Sequence, residues 1–186
     1  MASADLKKWN TRYALAERVF PNPPAALPVA IPYLLSGSIL DVASGEGAVA
    51  LLLAQSARFQ VTALDISDVG LANLKKFAND TAIHLQTLCL DLDSSDLNQL
   101  SYFNNICIYR YKPSVDLILK LSEKLSENGR LVISTFNQRQ HLEQGFNKRF
   151  CLLDDEFNDV SNQLQLIKFI RSVKAPYTDT YIWQKI

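Results

Sequence analysis

No apolar run in this 186-residue sequence approaches the roughly 20 residues that a membrane-spanning helix requires. The first residues, MASADLKKWN, also lack the apolar centre of a secretory signal. A cytoplasmic protein with no membrane partner is therefore expected. Charge of one sign is missing too: 19 Lys and Arg balance 19 Asp and Glu, whereas a general nucleic-acid binder needs a basic footprint. The pairs Lys7-Lys8 and Lys148-Arg149 read as solvated surface. Three cysteines, Cys89, Cys107 and Cys151, are odd in number and share no metal-ligand or redox spacing. They are expected to be buried thiols. His84 and His141 are the two histidines and stand far apart, so no metal is expected.

What is present is ordinary globular composition, 48% apolar and 20% charged, with enough chain for one core. Proline is concentrated at Pro21, Pro23, Pro24, Pro28 and Pro32, a stretch that cannot be a long helix or a central strand. It divides residues 1–35, an N-terminal arm with the proline-rich segment, from a main body at 36–186. In that body, short strand-like runs alternate with helical periodicity, the pattern of an open, doubly wound, mostly parallel α/β sheet.

The first strand is expected at Ser38 to Val42, followed by a helix through Val49, Leu52 and Leu53. The second runs from Gln60 to Leu64 and ends at Asp65; Ser67 then fits an N-cap, with Leu71, Leu74 and Ala78 on one helical face. IHLQTLCL gives a third strand ending at Asp91, and NNICIYR a fourth. After Pro113, the stripe Leu117, Ile118, Leu121 and Leu125 predicts a helix closing at Asn128-Gly129. RLVISTF is a fifth strand. QLIKFIRSV and TYIWQKI, separated by the turn-forming KAPYTD, are expected to pair antiparallel at one edge of a seven-stranded sheet.

Ligands of such sheets sit beyond the carboxyl ends of the strands, where Asp41, Asp65, Asp91 and Tyr109 all fall. Gly45, Gly47 and Ala50 satisfy the dinucleotide spacing G-x-G-x-x-A, so spacing alone leaves an NAD(P)-dependent oxidoreductase open. The acids argue against it. A pyrophosphate would meet Glu46 inside the turn and Asp41 just ahead, with no lysine or arginine in the loop to compensate. S-adenosylmethionine offers an ammonium and a sulfonium instead, both cationic, and the glycines then serve close backbone approach. Asp65 is placed to accept the ribose hydroxyls, and Asp91 the adenine amino group with Leu92 against the ring. Any one strand-end aspartate has a plainer use, as a cap for the helix that follows.

LDVASGEGAVALLLA followed by VTALDIS closely resembles the first two motifs of class I S-adenosylmethionine-dependent methyltransferases. KKWNTRYA before the proline-rich segment is similar to the Trp-Asp-x-Arg-Tyr stretch of the tellurite-resistance and thiopurine-methyltransferase-like group, and IYRYKPSVDLILKLSEKLSENGRLVISTFNQRQ to its fourth strand, helix and fifth strand. The resemblance implies the strand order 3-2-1-4-5-7-6. It also implies that Asp41, Ala43, Ser44, Gly45, Glu46 and Gly47 line the methionine half of the cofactor, with Asp65 and Ile66 at the ribose and adenine. Asp91 and Leu92 would complete the adenine pocket, and Tyr109 would lie near the sulfonium and the substrate. Trp9, Arg12 and Tyr13 would form an arm over the cofactor, Arg12 pairing its carboxylate; plain hydrophobic docking of Trp9 and Tyr13 is the alternative. Asn10 stands where the group often has an acid, Ser44 where cysteine or glycine is frequent, and large polar residues replace a glycine-rich run after Phe136.

The activity expected is transfer of a methyl group to a small molecule, with S-adenosylhomocysteine as product, by a monomer or homodimer. Tyr109 and Arg110 are the candidates on the substrate side. A tyrosine of ordinary pKa is a poor base at neutral pH, so a soft acceptor such as a thiol or a chalcogen oxyanion fits. The alternatives are a non-catalytic binding protein that keeps this fold and the oxidoreductase.

Overall fold

Strand β1 (Gly37–Val42) has its last four residues buried on both faces, the mark of a central strand in a parallel sheet. The computed structural model describes residues 2–15, 19–93 and 96–186. In chain order, helices α1 (Ala2–Leu15) and α2 (Leu27–Ala30) precede β1, and α3 (Ala48–Ala54), β2 (Phe59–Asp65), α4 (Asp68–Asp80) and β3 (Gln86–Cys89) follow it. Then come β4 (Phe103–Tyr109), α5 (Val115–Glu123), β5 (Leu125–Phe136), α6 (Gln138–Gln144), β6 (Leu164–Arg171) and β7 (Thr178–Lys185). The seven strands form one sheet in the order β3-β2-β1-β4-β5-β7-β6. Its first five members are parallel and β7 runs antiparallel to both neighbours. Fold class and strand order agree with the sequence expectation.

Alternation along the strands divides the core in two. On one face, Ile39, Ala63, Cys107, Val132 and Ile182 pack against α2, α3 and α4. On the other, Leu40, Ile106, Ile133, Tyr181 and Trp183 pack against α5 and the segment before β6. Local chemistry fixes the helix starts: Ser67 accepts from the Gly70 N–H at 3.0 Å and Ser114 from the Leu117 N–H at 3.2 Å.

Two expectations need correction. Helix α5 stops at Glu123 and does not reach Asn128-Gly129, because Leu125 already opens β5. A buried apolar residue at helical spacing reads the same whether it ends a helix or begins a strand. Asn128, with φ +57°, and Gly129 form an irregularity inside β5, and a Cβ on Gly129 would lie 2.8 Å from the Ser126 carbonyl oxygen. Cys89 is exposed, unlike Cys107 and Cys151, because β3 is an edge strand of only four residues that buries little of itself.

Candidate cofactor and acceptor site

The loop between β1 and α3 turns the chain through three left-handed residues, Ala43 (φ 56°), Gly45 (φ 55°) and Gly47 (φ 81°). Glycine takes that conformation freely and alanine only with strain, so Ala43 is held there by its surroundings. The Ser44 N–H donates to the Leu64 carbonyl at 3.0 Å and the Gly47 N–H to the Ser44 carbonyl at 2.9 Å.

The acids predicted around this loop are its scaffold. Asp41 is 1% exposed and accepts from the Ala50 N–H at 3.1 Å. Burial, reinforced by the charge of Asp65 and opposed by that N–H, pushes its pKa up to about 8. Asp65 accepts from the Gly45 N–H at 2.7 Å and the Ser67 N–H at 2.8 Å, so one carboxylate ties the loop to the start of α4. Burial raises its pKa as well, against the pull of those donors. Glu46 accepts from the Asn73 side-chain amide at 2.8 Å.

The arm lies on this loop. Trp9 and Tyr13 stack with centroids 5.8 Å apart, and the Tyr13 hydroxyl fills the place that a Cβ on Gly45 would take. The Tyr13 ring likewise sits 2.9 Å from a Cβ built on Gly70. Burial, and next the charge of Asp65, raises the Tyr13 pKa, so the phenol stays protonated. Sequence reasoning missed the residues that fix this helix. The Asn10 amide donates to Asp68 at 2.7 Å, its oxygen accepts from the Ser67 hydroxyl at 2.6 Å, and the Asn73 amide donates to the Tyr13 carbonyl at 3.2 Å. An acid at position 10 would face the Asp68 carboxylate, which accounts for the amide there. Asn10 itself was a visible signal, as a departure from the related motif; Gly70 and Asn73 offered none.

The other predicted residues fall as follows. Asp91 follows β3, is half-buried, and accepts from the Asp93 N–H at 3.0 Å. Leu92 is half-buried against the core, and the Ile66 carbonyl faces the Cys89 thiol at 3.6 Å. Arg12 is exposed, its guanidinium 5.3 Å from the Trp9 ring centre. Tyr109 ends β4 on the face shared with Asp41. Burial, and then the neighbouring Cys107 and Asp41, drives its pKa well above the ordinary value. Arg110 is exposed in a left-handed conformation, with φ 57°.

Two buried oxygens at these strand ends, Ser44 Oγ and Tyr109 Oη, have no hydrogen-bond partner among the described residues. Buried polar atoms are nearly always paired, so both fit a group that supplies the partner. Asp65 is held by the backbone N–H groups of Ser67, Gly45 and Ile66 and, with about four acceptor positions in a carboxylate, keeps capacity for a further hydroxyl donor. The residues present therefore fit S-adenosylmethionine. Among the described residues, no cluster of His, Cys, Asp and Glu could hold a metal.

Residues 39–129 match a family described as a methyltransferase domain. Among curated proteins no sequence match is found. Solved structures are similar in fold at low identity. One, described with the conversion of a disulfide bond into a thioacetal group during echinomycin biosynthesis, has TM-score 0.79 and 13% identity over 97% of this chain and 91% of its own. N-methyltransferase NodS from Bradyrhizobium japonicum, in complex with S-adenosylhomocysteine, has TM-score 0.72 and 12% identity over 97% of each chain. TehB from Haemophilus influenzae has TM-score 0.70 and 12% identity, covering 96% of this chain and 67% of its own. The methyltransferase-domain match takes in just under half of the chain, and the fold is one shared with methyltransferases solved with S-adenosylmethionine or S-adenosylhomocysteine bound.

Proposed function

We propose that the protein transfers a methyl group from S-adenosylmethionine to a small-molecule acceptor. One observation carries this over an NAD(P)-dependent oxidoreductase: three backbone donors at the glycine turn are already taken within the fold. The Gly45 N–H is held by Asp65, the Ala50 N–H by Asp41 and the Gly47 N–H by the Ser44 carbonyl. What remains at the loop is acidic and has no paired cation; a positively charged ligand would favour ionisation of Asp41, which burial otherwise keeps protonated at neutral pH.

In this reading Asp65 faces the ribose hydroxyls, with Ile66, Asp91 and Leu92 around the adenine. Ala43, Ser44, Gly45, Glu46 and Gly47 border the methionine half, and Arg12 pairs the carboxylate. Trp9 and Tyr13 close over it and exclude water. The cofactor supplies the activated methyl group, so the protein's share is positioning. Tyr109, kept protonated, orients the acceptor by hydrogen bonding and does not act as base; Arg110 stands at the same strand end. An acceptor that brings its own soft nucleophile, a thiolate or a chalcogen oxyanion, needs no more. Resemblance of KKWNTRYA to the tellurite-resistance and thiopurine-methyltransferase-like group supports the same class of acceptor.

Isothermal titration tests the reading directly. Saturable binding of S-adenosylmethionine, with none of NADPH, is expected; binding of NADPH in its place would overturn it.

A further inference from the structure

The chemistry of the acceptor follows from the flank of α1 that its docking leaves free. Asn10 holds one flank to α4 through Ser67 and Asp68. The opposite flank carries the exposed Lys8 and Arg12, since positions four apart share a helix side. Lys8 Nζ bridges from this flank to the segment after α6: it lies 5.3 Å from the ring centre of Phe150 and 5.2 Å from that of Trp9. Arg149 covers Phe150 at 4.5 Å. From Phe150 an aromatic row leads inward, to Phe146 at 6.3 Å and on to Phe136 at 4.4 Å. Phe136 ends β5 on the face that Val132 shares with Cys107 and Tyr109.

Among the described residues Lys8 and Arg149, like several other surface cations, have no carboxylate partner, and here both rest on the same aromatic ring. Cations resting on aromatic faces keep their charge available for a second, anionic partner. A basic amine would be repelled here, and a neutral aliphatic molecule would use neither the rings nor the charge.

We propose that the cationic and aromatic surface formed by the free flank of α1 and Arg149-Phe150 is where the acceptor enters, and that it selects a flat organic anion of the aromatic carboxylate class. The rings stack on the plane of the ligand, and Lys8 and Arg149 take its charge. This assignment rests on the methyltransferase reading.

The probes are 2-naphthoate and 2-naphthamide, titrated calorimetrically into the full chain saturated with S-adenosylhomocysteine. Naphthoate is expected to bind at least about tenfold more tightly, with a preference that shrinks as salt rises. In Lys8→Gln/Arg149→Gln the preference should fall below about threefold while S-adenosylhomocysteine affinity stays unchanged. Equal affinity for the two probes, no binding of either, or a preference that survives in the double variant overturns the assignment. Failure of S-adenosylhomocysteine to bind strikes the methyltransferase reading beneath it, and the acceptor assignment falls with it; binding without discrimination strikes the acceptor assignment alone.

Discussion

Asp41 and Asp179 lie equally deep in the same sheet, 1% and 0% exposed, and are treated in opposite ways. At the antiparallel edge, Asp179 accepts from Arg171 twice, at 2.9 and 2.8 Å, and from the Asn137 amide at 2.8 Å. Asp154 joins the same guanidinium at 3.0 Å. Asp41, at the carboxyl end of β1, has one backbone N–H, no cation, and a second acid nearby in Asp65. A buried carboxylate without counter-charge is costly. Asp179 has its counter-charge within the fold, whereas burial without a cation holds Asp41 protonated below about pH 8; in the proposed reading a cationic ligand is what would ionise it.

That contrast can be broken most forcefully at the edge. Arg171→Ala should cost about 2–4 kcal/mol of stability in urea unfolding, below the fully buried limit because the arginine is partly solvated. Its S-adenosylmethionine affinity should hardly change; a large loss of affinity with intact stability would reverse the roles given to the two ends. Asp65→Ala is next: loss of a charged acceptor facing the ribose hydroxyls should weaken cofactor binding by about 1.5–3 kcal/mol, read by calorimetry.

Asp41 sharpens the comparison through pH. Its folded pKa of about 8 exceeds the unfolded carboxylate value of 3.8, so between the two the folded state holds more protons. Without ligand, stability should therefore be greatest at the acidic end of that window and fall as pH rises toward 8, by at most about 1.4 kcal/mol per pH unit. Unfolding curves of Asp41→Asn should show that slope removed. The smallest effect on stability belongs to Tyr109→Phe, under about 1 kcal/mol, since its hydroxyl has no partner to lose. Methyl-transfer rate should drop with cofactor affinity kept; unaltered turnover on every acceptor tried would put Tyr109 in the core and not in the site.

Legibility followed the range of the interaction. The strand ends at Asp41, Asp65 and Tyr109 could be read because apolar runs stop there, and Ser67 because a cap acts on a residue three positions on. The end of α5 misled because Leu125 continues the spacing of a stripe it does not belong to. The tie of Arg171 to Asp179 went unread because neither residue marks its partner, although the β6 and β7 runs were expected to pair.

By itself the sequence determined the succession of the seven strands, the presence of α3, α4 and α5 between them and the acidic character of the glycine turn, because periodicity and loop composition are local properties of the chain; α1, α2 and α6 were not among the helices it marked. Only the tertiary structure decided that Tyr13 enters the space left by Gly45 and Gly70, and that Asp65 fastens the loop to α4. Those contacts join residues far apart in the chain, and their stability comes from shape and desolvation at the meeting point, which spacing along a chain does not encode.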